Sequence, residues 1–348
     1  MTVIDIHGHV TAPAELYVYK SLLHSSRGTH GKDGIRLPDE LVAKAAQKHV
    51  DTLKQVGTDI QLISPRPFHQ MHSEKPEKIV QLWIRANNDI IAQNCRLFPD
   101  VFRGVAGIPQ SYGVSPTNTF EELDRCIKEL GFVGCVLNPD PGEGGGEPTP
   151  NLGSEYWYPL YEKLQDLDCP ALIHAASCRC VEKESYSHHM ITEHSIACWS
   201  LANSRVFKDF PRLKIIVSHG GGSVPYQIGR WRAGRLLRSP HLGLVHKDSE
   251  VETFDESLRR MWFDGILYSK PALEYLIRTV GPDRVMFATE VPGVGSAIDP
   301  ETGRPFDDVK PVIDEMEWLP EADKRRIFEG NAREVFTRLD GQFAASAA

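Results

Sequence analysis

Val3-Ile4-Asp5-Ile6-His7-Gly8-His9-Val10 is a short apolar run that closes on two histidines. Read as a strand, it places residues two apart on one face, so His7 and His9 project together with Cα atoms about 7 Å apart. Seven more runs rich in Val, Ile and Phe follow it, at residues 58–65, 102–109, 132–139, 170–177, 213–220, 261–268 and 284–291. Several are nearly continuous in apolar residues rather than alternating, which suits strands covered on both faces, as in a parallel sheet. Helical patterns separate most of them, at residues 40–56, 77–98, 116–130, 156–167, 191–207, 255–260 and 271–280. Strand and helix alternating eight times predict an α/β chain folded as a single-domain (β/α)8 TIM barrel over residues 1–348. An open doubly wound sheet is the architectural rival. The count of eight and the polar residues that end nearly every run favour the barrel, whose active sites are built at the C-terminal ends of the strands.

Composition narrows the classes. The chain has 348 residues, 41% hydrophobic and 25% charged, with mean hydropathy −0.32; disorder and collagen-like repeats are excluded. A net charge of −8 argues against nucleic acid as a partner, because phosphate binding needs a basic surface. No apolar stretch reaches membrane-spanning length, and the start Met1-Thr2-Val3-Ile4-Asp5 has no secretory pattern, so a cytoplasmic protein is expected. Seven cysteines without a paired-loop pattern predict reduced, mostly buried thiols. Two loops stand out: a Gly/Pro-rich one at 138–153, readable as a flap over the barrel mouth or as a surface insertion, and an extended one after strand eight at 291–306.

The ionisable residues at strand ends carry the chemistry. His174 ends the fifth run, His219-Gly220-Gly221-Gly222 the sixth, and Thr289-Glu290-Val291-Pro292 the eighth. Buried alone, each would be costly; one shared cation at the mouth would satisfy several. His7, His9 and His174 are nitrogen donors and Glu290 adds a carboxylate. Such a set suits Zn2+, with Mn2+ or Fe2+ less favoured, and three firm ligands leave a position for water. Asn138 stands at the end of the fourth run where a bridging lysine would be needed for a second metal, so one metal is expected.

His-x-His after strand one, His after strand five, His-Gly-Gly-Gly after strand six and an acid after strand eight resemble the amidohydrolase superfamily. The resemblance is to the subgroup of aminocarboxymuconate-semialdehyde and resorcylate-type decarboxylases, and the closing Glu329-Gly330-Asn331-Ala332-Arg333-Glu334-Val335-Phe336 is similar to that subgroup's last helix. Most of the superfamily carries Asp after strand eight; Glu290, with Ser218-His219-Gly220-Gly221-Gly222-Ser223-Val224-Pro225-Tyr226 and the long tail after Pro292, resembles instead the 4-oxalomesaconate hydratases of protocatechuate 4,5-cleavage and gallate breakdown. That resemblance implies a lyase that adds water to a C=C bond. Nonoxidative decarboxylation and metal-dependent hydrolysis are the alternatives. Glu is one methylene longer than Asp and can stand beside a metal-bound water, so Glu290 is expected to be the base on that water and His219, on the neighbouring rim, the proton donor. A polycarboxylate substrate needs cationic or polar anchors, for which Arg66, Asn138, Arg179 and Arg232 are the candidates. His69, Ser177 and Tyr186 are secondary ones. His188, His189 and His194 are read as rim residues of the strand-five loop, and loops bearing Trp231 and Trp318 as a possible homo-oligomer interface.

Overall fold

The computed structural model describes residues 1–145, 149–180, 182–237 and 252–340. The eight strands are β1 (Ile4–His9), β2 (Ile60–Ser64), β3 (Phe102–Gly107), β4 (Gly134–Leu137), β5 (Ala171–Ile173), β6 (Ile215–Val217), β7 (Met261–Asp264) and β8 (Val285–Met286). They pair in sequence order, each neighbour parallel. The seam between β8 and β1 is closed by backbone bonds: Ile6 N–H donates to Phe287 O at 3.1 Å, and Glu290 N–H to His7 O at 2.9 Å. The chain is therefore the (β/α)8 barrel that the alternating runs predict.

Two apolar cores follow from the strand period. Inside the barrel lie Ile4, Ile6, Leu62, Val105, Val136, Leu172, Ile216 and Met286, and the floor is closed by Ala332, Val335, Phe336 and Leu339 from the C-terminal helix Asn331–Val335 and the turn after it. Outward-facing Ile63, Cys135, Ile173, Val217 and Phe263 pack against the helical layer, including Trp83, Leu160, Leu201 and Leu276.

One departure from plain alternation positions the site. Asp5 pairs with Gln61 and Gly8 with Ile63, so Ile6 and His7 together stand opposite the single Leu62. This is a β-bulge. Strict alternation from Ile4 and Ile6 would send His7 and His9 outward. The extra residue resets the phase, so Ile6 remains in the barrel core while His7 and His9 turn into the mouth. Gly8 then faces out, where an added Cβ would lie 2.2 Å from Gln61 Cδ. Gln61 has no freedom to yield: its Nε2 donates to Asp5 Oδ2 at 2.8 Å and to Val291 O at 2.9 Å, and its Oε1 meets His49 Nε2 at 2.7 Å.

Several helical expectations are corrected. A first helix, Ala14–Ser26, lies where the sequence pattern showed none; it buries Leu16, Tyr19 and Leu23, but exposed Val18 and Leu22 blur its stripe. The helix expected over 191–207 begins earlier, at Tyr186, and ends at Ala202. Its start is set by Ser185, whose hydroxyl accepts from His188 N–H at 3.3 Å. His188 and His189 are thus helical, not loop residues, and share the helix with His194. Trp231 lies on the helix Val224–Leu237 and packs near Phe254, while Trp318 is covered by the Arg278 guanidinium, 3.6 Å from its ring centroid; neither is a bare loop aromatic. All seven cysteines are free, five of them buried. In the Gly/Pro-rich loop, Asp140 accepts from the N–H groups of Gly142 and Gly144 and from Thr149 Oγ1, which makes its described part a closed turn; residues 146–148 of that loop lie outside the described residues.

Gly8→Ala is expected to cost about 1–3 kcal/mol of stability, because the methyl displaces a side chain whose three bonds are buried. Urea denaturation reads this directly; an unchanged midpoint would show that Gln61 has room to move.

Candidate active site

Five side chains meet at the C-terminal mouth. The ring centroids of His7 and His174 are 4.8 Å apart, those of His7 and His9 5.0 Å, and those of His9 and His174 5.5 Å. One ligand atom from each of His7, His9, His174 and Glu290 falls within 4.8 Å of the others. His219 stands just outside this group, its Nε2 3.9 Å from Glu290 Oε1.

The hydrogen bonds behind the rings fix which nitrogen faces inward. His7 Nδ1–H donates to Asp264 Oδ2 at 2.8 Å, and His174 Nδ1–H to Ala175 O at 2.7 Å. His9 Nδ1 meets Ser64 Oγ at 3.2 Å, and that hydroxyl gives its own hydrogen to Gly8 O. Each Nδ1 is therefore the protonated one, and each Nε2 carries a bare lone pair. These three Nε2 atoms are buried without a hydrogen-bond partner. Burial lowers the pKa of all three, driving His7 and His174 well below the ordinary imidazole range, so the rings stay neutral. Three converging, neutral, unpartnered nitrogens beside a carboxylate fit a divalent cation. Two other groupings of possible ligands lack this property: His189 Nδ1 is taken by Glu184 Oε1 at 3.0 Å, and Asp140 already accepts three donors.

Burial alone would raise the Glu290 carboxyl, but His219, first among its neighbours, outweighs it and holds the group well below the usual carboxylate range. Its Oε2 accepts from Tyr268 Oη at 2.6 Å. His219 opens a turn in which four consecutive residues, His219 to Gly222, have positive φ (51°, 61°, 76° and 67°). The glycines are needed for close approach as well as for dihedrals: a Cβ on Gly221 would lie 2.8 Å from Phe263, and one on Gly222 2.4 Å from Ser195 Oγ. His194 stacks on His219 at 5.3 Å and 23°, and its Nε2 accepts from Ala175 N–H. It backs the site instead of entering it.

The anchoring candidates separate. Arg66 lies at the mouth: its guanidinium donates to Pro292 O at 3.4 Å, its charge adds to the depression of His9, and among the described residues it forms no ion pair. Tyr186 is close by, raised by burial and then by Glu290, with Phe68 edge-on at 5.9 Å. Asn138 is buried and largely committed to the chain, its Oδ1 accepting from Asp140 N–H and its Nδ2 donating to His72 Nδ1. Arg179 is exposed and donates to Ser73 Oγ at 3.2 Å, beside the turn that holds Glu143. Arg232 is not at the mouth; it pairs with Asp255 at 2.6 Å, both side chains about half exposed. His69 packs against Tyr17 and Phe68.

Sequence reasoning missed Asp264, Tyr268 and Asp5. Asp264 was legible as the lone acid within the seventh apolar run. Asp5 sat in the first motif without a role; its carboxylate accepts from His7 N, Thr289 N, Thr289 Oγ1 and Gln61 Nε2. Tyr268 ends the same run, but a tyrosine there gave no sign of its partner.

Barrel, histidine cluster and strand-eight acid place the chain in a known class, and the Amidohydrolase family profile matches residues 4–338: the protein belongs to that family. It is 34% identical over 351 aligned positions, covering 99% of each chain, to 2-keto-4-carboxy-3-hexenedioate hydratase of Sphingobium sp. (strain NBRC 103272 / SYK-6). The crystal structure of 4-oxalomesaconate hydratase LigJ from Rhodopseudomonas palustris superposes with a TM-score of 0.84 at 32% identity, over 97% of each chain. A dihydroxybenzoic acid decarboxylase from Polaromonas sp. JS666, with bound manganese and 2-nitroresorcinol, shares the fold at a TM-score of 0.72 and 22% identity, again over 97% of each chain.

His174→Ala is expected to abolish stoichiometric metal binding, read by elemental analysis; undiminished metal removes His174 from the ligand set. Asp264→Ala frees the His7 ring and should weaken metal affinity about 10- to 100-fold, measured by competition with a chromophoric chelator.

Proposed function

We propose that the protein is a metal-dependent hydro-lyase that adds water across the C=C bond of 4-oxalomesaconate or a close unsaturated keto-polycarboxylate. The observation that carries the reading is that two titratable side chains, Glu290 and His219, stand beside three bare imidazole nitrogens. The hydratase relatives that align over nearly the whole chain supply the reaction class.

Both relatives' substrates are unsaturated keto-tricarboxylates. The ketone conjugated to the alkene makes its β carbon electrophilic. His7, His9 and His174 would hold the metal, for which an all-imidazole set favours Zn2+ over Mn2+ or Fe2+. When bound, a divalent cation lowers the pKa of water and polarises a substrate oxygen. Glu290, held below the usual carboxylate range chiefly by His219, accepts one proton from the attacking water at Oε1. The hydroxyl oxygen bonds to the β carbon, the alkene π pair moves toward the ketone, and His219 delivers a proton to the α carbon. Solvent exchange returns the Glu290 proton to His219, so the sum is addition of one water. Arg66, at the mouth and without a carboxylate partner among the described residues, receives one substrate carboxylate as a bidentate guanidinium can; Arg179 and Tyr186 line the adjoining rim.

Among the described residues no helix is long and apolar enough to cross a membrane. A small polycarboxylate substrate, reduced thiols and a role in aromatic catabolism accord with a cytoplasmic enzyme.

Glu290→Gln is expected to keep fold and metal while kcat falls by about 10²- to 10⁴-fold, the usual worth of a positioned base. Loss of enone absorbance on the unsaturated tricarboxylate measures it. Near-native turnover removes Glu290 as the base, and carbon dioxide release from an aromatic acid, in place of hydration, overturns the reaction class.

A further inference from the structure

We propose that Tyr268 is a positioning residue that ties one oxygen of Glu290 and leaves the other alone to face the imidazoles. The inference rests on the reading of Glu290 as the base and concerns how that one carboxylate is kept from chelating the metal.

A glutamate beside a cation has two competing uses. With both oxygens free it can turn and chelate the metal; with one it can stand beside the metal and handle a proton. Here Oε2 accepts from the Tyr268 hydroxyl at 2.6 Å, while Oε1 lies 3.9 Å from His9 Nε2 and 3.9 Å from His219 Nε2. The two ends of the carboxylate face different neighbours, the phenol after β7 at one and the imidazoles of β1 and of the turn after β6 at the other.

The phenol is held from behind with little slack. A Cβ on Gly295 would lie 2.8 Å from both Cε1 and Cζ of the Tyr268 ring and 2.7 Å from Asp307 Cβ, so the strand-eight loop packs directly on the ring. Phe306 closes another side, with ring centroids 6.3 Å apart. Tyr268 and Glu290 both have left-handed backbones, at φ 50° and 67°, a conformation that is unfavourable for a non-glycine residue. Packing that over-determines two strained residues and joins them by a short hydrogen bond marks a geometry that matters to the site. The loop at 291–306 thereby acquires a structural role as the back wall of the phenol.

The test uses the full-length protein loaded with Co2+, whose visible spectrum reports coordination number, and the zinc-loaded protein for turnover. Tyr268→Phe removes only the hydroxyl. It is expected to keep one metal per chain and near-native KM, to lose about 10- to 100-fold in kcat, and to weaken the cobalt visible bands as the released carboxylate takes the metal with both oxygens. Gly295→Ala, which keeps the hydroxyl but pushes the ring, should shift the cobalt bands in the same direction. A Tyr268→Phe cobalt spectrum identical to wild type overturns the proposal whatever the turnover. Failure of the wild type to hydrate the tricarboxylate overturns the hydratase reading and leaves the cobalt comparison to decide the role of Tyr268. A wild type that binds no cobalt removes the metal reading and this proposal with it.

Discussion

The Asp5 carboxylate is the pin on which the mouth of the barrel depends. It lies fully buried and accepts four hydrogen bonds, from two backbone N–H groups, one hydroxyl and one side-chain amide. Those donors belong to β1, to β2 and to the segment after β8, so one side chain joins the two edges of the sheet where they meet. Burial nevertheless raises its pKa to about 7, a measure of how strongly that position resists charge and why four donors surround it. The bond to His7 N–H sits inside the bulge itself, which makes the irregularity of β1 a supported feature of the seam.

Chemistry at the mouth follows from that support. The three imidazoles are oriented from behind by acceptors on three separate strands or strand ends: Asp264, Ser64 and the Ala175 carbonyl. Each acceptor takes the Nδ1 hydrogen and so aims a lone pair inward. The tautomers are chosen before any cation arrives, and the cost of leaving three nitrogens unpartnered is borne by the fold. The same pattern appears in backbone strain: His219, Tyr268 and Glu290 all have positive φ, and all three meet at the mouth. Such conformations persist only where the surroundings over-determine them.

Much of this was legible in particular residues. His7, His9, His174, His219 and Glu290 were each visible as an ionisable residue closing an apolar run, and the structure brings all five together. Arg66, held between prolines at a strand end, was visible for the same reason. Arg232 was misplaced because helical periodicity does not say which neighbour a surface arginine will meet, and Asp255 on a later helix claims it. Asp264 was visible as an acid in the seventh run and Tyr268 as its last residue, but their roles arise from contacts across strands, with His7 and Glu290 respectively, and nothing in the local sequence encodes those pairs.

Strand order, barrel class and the inventory of ionisable side chains at the strand ends were determined by the sequence alone, because burial and strand period act locally along the chain. The tertiary structure decided which way those side chains face. By plain alternation from Ile4 and Ile6, His7 and His9 would point away from the barrel interior. Only pairing with β2, where two residues oppose one Leu62, turns them inward, because register is a property of two strands and not of either one.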